Sequence, residues 1–451
     1  MRKLCKGTLV ALLTILLMLS TVVPTLASDQ EGPDVSEWAI EILNEGERYG
    51  IFPMEWYYDS FRGEVSQDRL EILLSLTDGK IAELGLEKNE DFTPESYNSD
   101  GTRGDIITRL YNIVAQYDLP VGESAVDYMQ EQGILKGTTR GLELDSVATT
   151  EQAVIFAVRL VQDTYYQVQA GAKGVAWKVE NDGNLVYLLG SIHLGTTDLY
   201  PFNEKLVNAF HESDALVVEA NLFDLEGLQY FMQKSMFDDE TTIEDVLSEE
   251  TYNKLVKVLE GYGIPVEYVA FYKPWSIASD LSNISLSESL GTPAEELASL
   301  GIDMYFLTNA MLGQKPILEL EGIAAQADMF DGLSAEAQED YLADVLDSIL
   351  EEQTYDESEA ELLKEWFKYW SAGDIDGFTE SLLLLDGEPT EFDEMLLGER
   401  DKNMAEGISQ LLESEEKGTY FVVVGAAHFL TEGTILYYLE EKGYTIEAFY
   451  E

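Results

Sequence analysis

Three short apolar runs, each ending in a residue that can bind a metal or move a proton, constrain this chain more than any other feature. Leu185-Val186-Tyr187-Leu188-Leu189 runs into Gly190-Ser191-Ile192-His193. Ala215-Leu216-Val217-Val218 runs into Glu219, and Phe421-Val422-Val423-Val424 runs into Gly425-Ala426-Ala427-His428. Such runs read as strands, and in open α/β sheets the ligand crevice lies beyond the carboxyl ends of the strands. A glycine lets the backbone turn off the sheet and present the following histidine above it.

The surrounding text supports this architecture. Val175–Val179 and Leu185–Leu189 flank Asn181-Asp182-Gly183-Asn184, a hairpin with a glycine-bearing turn. Helices are expected over Asn203–Ser213, Thr242–Tyr262, Ala335–Glu352, Glu359–Ala372, Arg400–Glu413 and Gly433–Lys442. Thr445–Tyr450 reads as a final strand. Residues 174–451 thus form an α/β (α+β) domain with a mixed sheet and a helical insertion.

Ahead of a flexible joint at Ala170-Gly171-Ala172-Lys173-Gly174, residues 34–169 read as a small all-helical domain. Three helix-loop-helix units recur there, with helices opening near Gln67, at Thr102-Arg103-Gly104-Asp105 and at Thr149-Thr150-Glu151-Gln152. The pattern resembles S-layer homology repeats, which anchor exported proteins to cell-wall polysaccharide through a Thr-Arg-Ala-Glu-like segment. Only Thr102-Arg103 keeps the Thr-Arg pair; the other units read Ser66-Gln67-Asp68-Arg69 and Thr150-Glu151-Gln152. Cell-wall polysaccharide is therefore the partner this resemblance implies for the N-terminal domain.

Residues 1–27 read as an export signal: Arg2, Lys3 and Lys6 precede an apolar run from Leu9 to Leu19, with a cut after Ala27. The run is shorter than the roughly 20 residues a membrane-spanning helix needs, so no stable membrane anchor is expected after cleavage. The destination is secreted or extracellular, in association with the wall. Cys5, the one cysteine, lies in the leader, so the mature chain has no disulfide and no thiolate metal site. With 27 basic and 86 acidic residues the formal net charge is −59. Losing Arg2, Lys3 and Lys6 makes it more negative by three. That balance argues against nucleic acid and anionic lipid as partners, both of which need clustered lysine and arginine.

The chain has only three histidines, and two stand at the same offset after a strand-ending glycine. His211, beside Phe210 and Glu212, reads as a surface residue at a helix C-terminus. Without cysteine, a divalent ion must use imidazole and carboxylate, and His193, His428 and Glu219 form a set of the open, hydrolytic or redox kind. An open position holds water and lowers its pKa toward neutrality. Glu219 can be the third ligand or the general base. Ser191 lacks the Gly-x-Ser-x-Gly elbow of a serine nucleophile.

Residues from Gly174 onward resemble the TraB/GumN family, which includes PrgY and the animal Tiki proteins. The resemblance is carried by Tyr187–Gly195, Leu199-Tyr200-Pro201, Leu216–Glu219, Lys273-Pro274-Trp275, Gly301-Ile302-Asp303, Leu320-Glu321-Gly322 with Gln326, and Val423–His428. It implies a fold akin to the erythromycin esterase and ChaN group. It also implies a peptidase acting on peptides or protein termini with a divalent metal, manganese, cobalt or zinc. His193, Glu219 and His428 would be the metal-centred set. Arg400, in Gly398-Glu399-Arg400-Asp401 where the family often has Arg-Asn, would be a substrate-binding or supporting group. Two other functions stay open: a surface protein that sequesters a peptide signal without turnover, and an esterase-like hydrolase that needs no metal.

Overall fold

In a computed structural model, residues 32–350, 356–383, 390–430 and 433–450 are described. The expected leader, residues 1–27 with Cys5, lies outside them, as do the last two residues expected for the Ala335–Glu352 helix. The described residues divide into two compact units, one drawn from residues 32–172 with 197–207 and the other from residues 173–196 with 208–450.

The first unit is helical, with helices at Ile40–Tyr49, Gln67–Ala82, Arg103–Ala115, Ala125–Glu131 and Thr150–Gln167. Four begin at hydroxyl caps that accept a backbone N–H in the first turn, the usual remedy for unpaired amides there, with Ser124 accepting from Asp127 in the shortest of them. Ser66 accepts from Arg69, Thr102 from Asp105 and Thr149 from Gln152, whose side chain in turn accepts from the Thr149 amide. The residues ahead of Ser66, Thr102 and Thr149 are joined by backbone bonds, Val65 N to Ala148 O and Ala148 N to Gly101 O.

The second unit is built on a six-stranded sheet. Its strands are β1 (Val175–Asn181), β2 (Asn184–Ser191), β3 (Ala215–Val218), β4 (Ile317–Glu319), β5 (Thr419–Gly425) and β6 (Ile446–Ala448). Their spatial order is β4-β3-β5-β2-β1-β6. β1 and β2 form the expected hairpin, closed between Asn181 and Asn184. Asp182 (φ 48°) and Gly183 (φ 86°) both take the left-handed conformation that a two-residue turn needs to match strand twist. The four strands from β4 to β2 run parallel, so their carboxyl ends share one edge. β2, β3 and β5 are almost wholly buried, as expected of strands covered on both faces.

Two expectations change. β4 was not foreseen: three residues after Pro316 are too short to show a period. The single helix expected over Thr242–Tyr262 is two, Ile243–Val246 and Glu249–Tyr262. Leu247 is extended (ψ 151°) and Ser248 caps the second helix by accepting from the Thr251 amide, a local bond that competes with continuing the helix. No helix among the described residues is long and apolar enough to cross a membrane.

Candidate active site

The sheet order places the three sequence-predicted strand ends side by side. β5 lies between β2 and β3, so Ser191 pairs with Gly425 and Val218 with Val423. His193, Glu219 and His428 are all buried, at 5%, 4% and 0% exposure.

The glycines have identifiable reasons. A Cβ on Gly190 would lie 2.8 Å from a Val175 methyl and 3.0 Å from Ala426 Cα, so β1 and the turn after β5 leave it no room. Gly425 donates its N–H to Glu219 Oε1 at 2.6 Å. The His193 turn is pinned by a segment far along the chain: Ile302 N donates to Ile192 O at 3.1 Å and Gly195 N to Leu297 O at 2.9 Å. At Gly301 a Cβ would approach His193 O to 2.3 Å, so that close packing admits no side chain.

Each histidine is backed by a carboxylate. His193 Nδ1 lies 2.7 Å from Asp303 Oδ2, and His428 Nδ1 lies 2.8 Å from Asp401 Oδ1. Among the described residues, His193 Nε2 is buried without a hydrogen-bond partner. Burial opposes protonation of His193, but the charge and hydrogen bond of Asp303 hold its pKa above the ordinary value.

Arg400 ties the carboxylates together. Its Nε and Nη2 donate to the two oxygens of Glu321 at 2.8 and 2.7 Å, a fork-to-fork pair. Nη2 also reaches Glu219 Oε2 at 3.1 Å, and Nη1 donates to Leu396 O at 2.9 Å. The charge of Arg400 is therefore directed chiefly at Glu321. Burial raises the pKa of that carboxyl, yet the paired guanidinium keeps it below the ordinary range. For Glu219, burial dominates and the pKa is raised despite His428, Arg400 and His193. Two neighbouring carboxyls are thus driven apart by their surroundings, and Glu219 is the more basic.

Asp303, Asp401, Glu321 and Gln326 were not chosen as site residues from sequence, although three of them stand in the quoted family blocks and Asp401 beside Arg400. Gln326 Nε2 faces Glu219 Oε2 and Glu321 Oε2 at 3.4 and 3.5 Å, while its Oε1 is buried with no partner among the described residues. His211 is exposed in the last turn of the helix Glu204–Glu212.

The profile of the TraB/PrgY/gumN family matches residues 175–448. The chain belongs to that family. It is 28% identical over 251 residues to the uncharacterized protein YbaP of Escherichia coli (strain K12), covering 55% of this chain and 85% of that protein. It is 23% identical over 309 residues to the metalloprotease TIKI2 of Xenopus tropicalis, covering 58% of this chain and 57% of that protein. The metalloprotease TIKI1 of the same frog is 21% identical over 332 residues, 62% of each chain. No solved structure matches.

A divalent ion, which the TraB/PrgY/gumN resemblance implies, fits these residues in kind. The imidazoles are held from behind by carboxylates as metal-bound histidines usually are, and the His193 Nε2 acceptor is buried without a partner. The carboxyls of Glu219, Glu321, Asp303 and Asp401 outnumber the guanidinium of Arg400, which favours a further cation. Among the described residues, however, no group of three or more His, Cys, Asp and Glu stands ready to hold a metal. Both oxygens of Glu219 already accept hydrogen bonds.

Proposed function

We propose that this chain is an exported, wall-associated metal-dependent hydrolase that cleaves peptides or protein termini. The observation that carries the reading is the pair of imidazoles, each bonded through Nδ1 to a buried carboxylate at the end of a central strand. Similarity to the TIKI metalloproteases supports the peptide substrate. His193 and His428 would hold a manganese, cobalt or zinc ion through Nε2. When bound, such an ion polarises a carbonyl and acidifies water.

The remaining roles belong to the side chains. Glu219, kept basic by burial and held by the Gly425 amide and Arg400, takes the proton of the attacking water and returns it to the leaving amine. Arg400 orients Glu219 and keeps Glu321 ionised. Gln326 Oε1 is placed to accept a hydrogen bond from the bound peptide or water.

The test pairs calorimetric metal titration with hydrolysis of a fluorogenic peptide library. Wild-type protein is expected to bind one divalent ion and to turn over peptide. His193→Ala and His428→Ala are expected to lose both, and Glu219→Gln to bind metal but lose about 10²–10⁴-fold in turnover. Wild-type protein that binds none of the three metals sinks the reading.

The engagement of both Glu219 oxygens favours one competing reading, an esterase-like hydrolase working through the same residues without metal. It predicts ester turnover undiminished by excess chelator. Export is tested by N-terminal sequencing of secreted protein, with Ser28 expected first. Wall association is tested by binding of the full chain to purified wall polysaccharide. Arg103, the equivalent of the glycan-holding arginine, donates from Nε and Nη2 to Leu142 O and Lys136 O, so such binding would draw on other groups.

A further inference from the structure

The two histidines are held in the same manner by unrelated parts of the chain. Asp303, in the first turn of the helix Ile302–Leu312, accepts from Ser191 Oγ through Oδ1 at 2.8 Å and meets His193 Nδ1 through Oδ2. Asp401, in the first turn of the helix Glu399–Leu412, accepts from the Gly398 amide through Oδ2 at 2.6 Å and meets His428 Nδ1 through Oδ1. In each case one oxygen is fixed by a nearby donor and the other holds the ring. Both carboxylates are buried, at 5% and 0% exposure, so water does not compete for either ring.

An ionised carboxylate only accepts, so the ring nitrogen facing it must carry hydrogen. The opposite nitrogen then presents its lone pair. We propose that Asp303 and Asp401 are a matched pair of positioning residues that lock His193 and His428 as the Nδ1–H tautomer, leaving the buried, unpartnered Nε2 lone pair of His193 for a divalent cation. The cation clause rests on the metal reading above; the tautomer lock does not. Ser191 belongs to this lock. Its hydroxyl proton is directed at Asp303, not at His193, which explains a buried serine beside a histidine without making it a nucleophile.

Histidine content makes the lock directly observable, because the full chain has only three and His211 is exposed. Protein labelled with ¹⁵N-histidine, free of metal and titrated upward in pH until the ring signals stop shifting, so that every ring is neutral, gives one two-bond ¹H–¹⁵N pattern per ring. Two rings are expected as Nδ1–H, with the exposed His211 giving the third signal. Asp303→Asn and Asp401→Asn keep the shape and an accepting oxygen but not the charge. Each is expected to release one ring toward a tautomer-averaged pattern and to weaken binding of Mn²⁺, Co²⁺ and Zn²⁺ by about 10–100-fold. Ser191→Ala is a milder probe that spares folding, and is expected to loosen His193 while leaving His428 unchanged.

An Nε2–H pattern from either strand-end ring overturns the lock, as does an Asn variant whose ring stays fixed. Locked rings in a protein that binds none of the three metals overturn the cation clause and the metal reading together, and leave the tautomer lock standing.

Discussion

The two units of this protein use buried arginine in opposite ways. In the helical unit Arg103 is 5% exposed, gives its Nε and Nη2 protons to the carbonyls of Leu142 and Lys136, and lies 5.0 Å over the Phe156 ring. Burial lowers its pKa, with Glu143 a minor opposing charge. In the sheet unit Arg400 is equally buried, but burial is overcome by Glu321 and Glu219, and its pKa is raised. Carbonyl partners satisfy a guanidinium and tie loops together. Carboxylate partners leave a charged cluster whose remaining groups can work on something else. The difference separates an arginine that ties loops together from one that balances buried carboxylates.

The sharpest way to break that comparison is to remove each cation. Arg400→Met leaves Glu219 and Glu321 buried without their partner and is expected to cost about 3–5 kcal/mol in denaturant unfolding. Arg103→Met leaves only carbonyls unpaired and is expected to cost about 1–3 kcal/mol, with peptide turnover unchanged. Equal costs, or a loss of turnover in Arg103→Met, would erase the distinction.

A pH profile sharpens it further. Glu47, in the helical unit, has its pKa raised by burial, only partly offset by the Tyr57 hydroxyl that donates to it and by Arg48. A raised carboxyl pKa means the folded state favours the proton. The contribution is therefore fully present below the ordinary carboxylate range and lost as pH rises through the folded value. Glu47→Gln is expected to remove this part of the pH dependence in urea unfolding followed above pH ~4. A wild-type profile retained in the variant would mean that Glu47 does not titrate there.

The smallest effect belongs to the surface. Arg69 pairs at 2.6 Å with Asp59, which is 79% exposed, and Arg69→Ala is expected to shift stability by no more than about 1 kcal/mol. A larger loss would give the contact with Trp56, 5.4 Å below the guanidinium, more weight than the ion pair.

The central strands were legible because β2, β3 and β5 each contain an unbroken apolar run, Leu185–Leu189, Ala215–Val218 and Phe421–Val424, as burial on both faces favours. The histidines could be picked out for the same reason, each being the first imidazole past such a run. Their aspartates could not. Asp303 meets His193 across 110 positions, and a lone aspartate in a helix's first turn looks like any residue that suits the helix dipole. β4 was illegible because three residues carry no period, and Glu321 went with it. The break at Leu247-Ser248 was missed because the apolar spacing continues across it while a local serine cap decides the geometry.

The position of β5 sets the moment at which this site comes into being. The strand lies between β2 and β3, yet it is made more than 200 residues after either, at Thr419–Gly425. A chain emerging N-terminus first can complete its helical unit long before the central strand exists. Until β5 inserts, His193 and Glu219 belong to strands that do not touch, and the second histidine is missing. The candidate site is therefore assembled only when the last of its strands is in place.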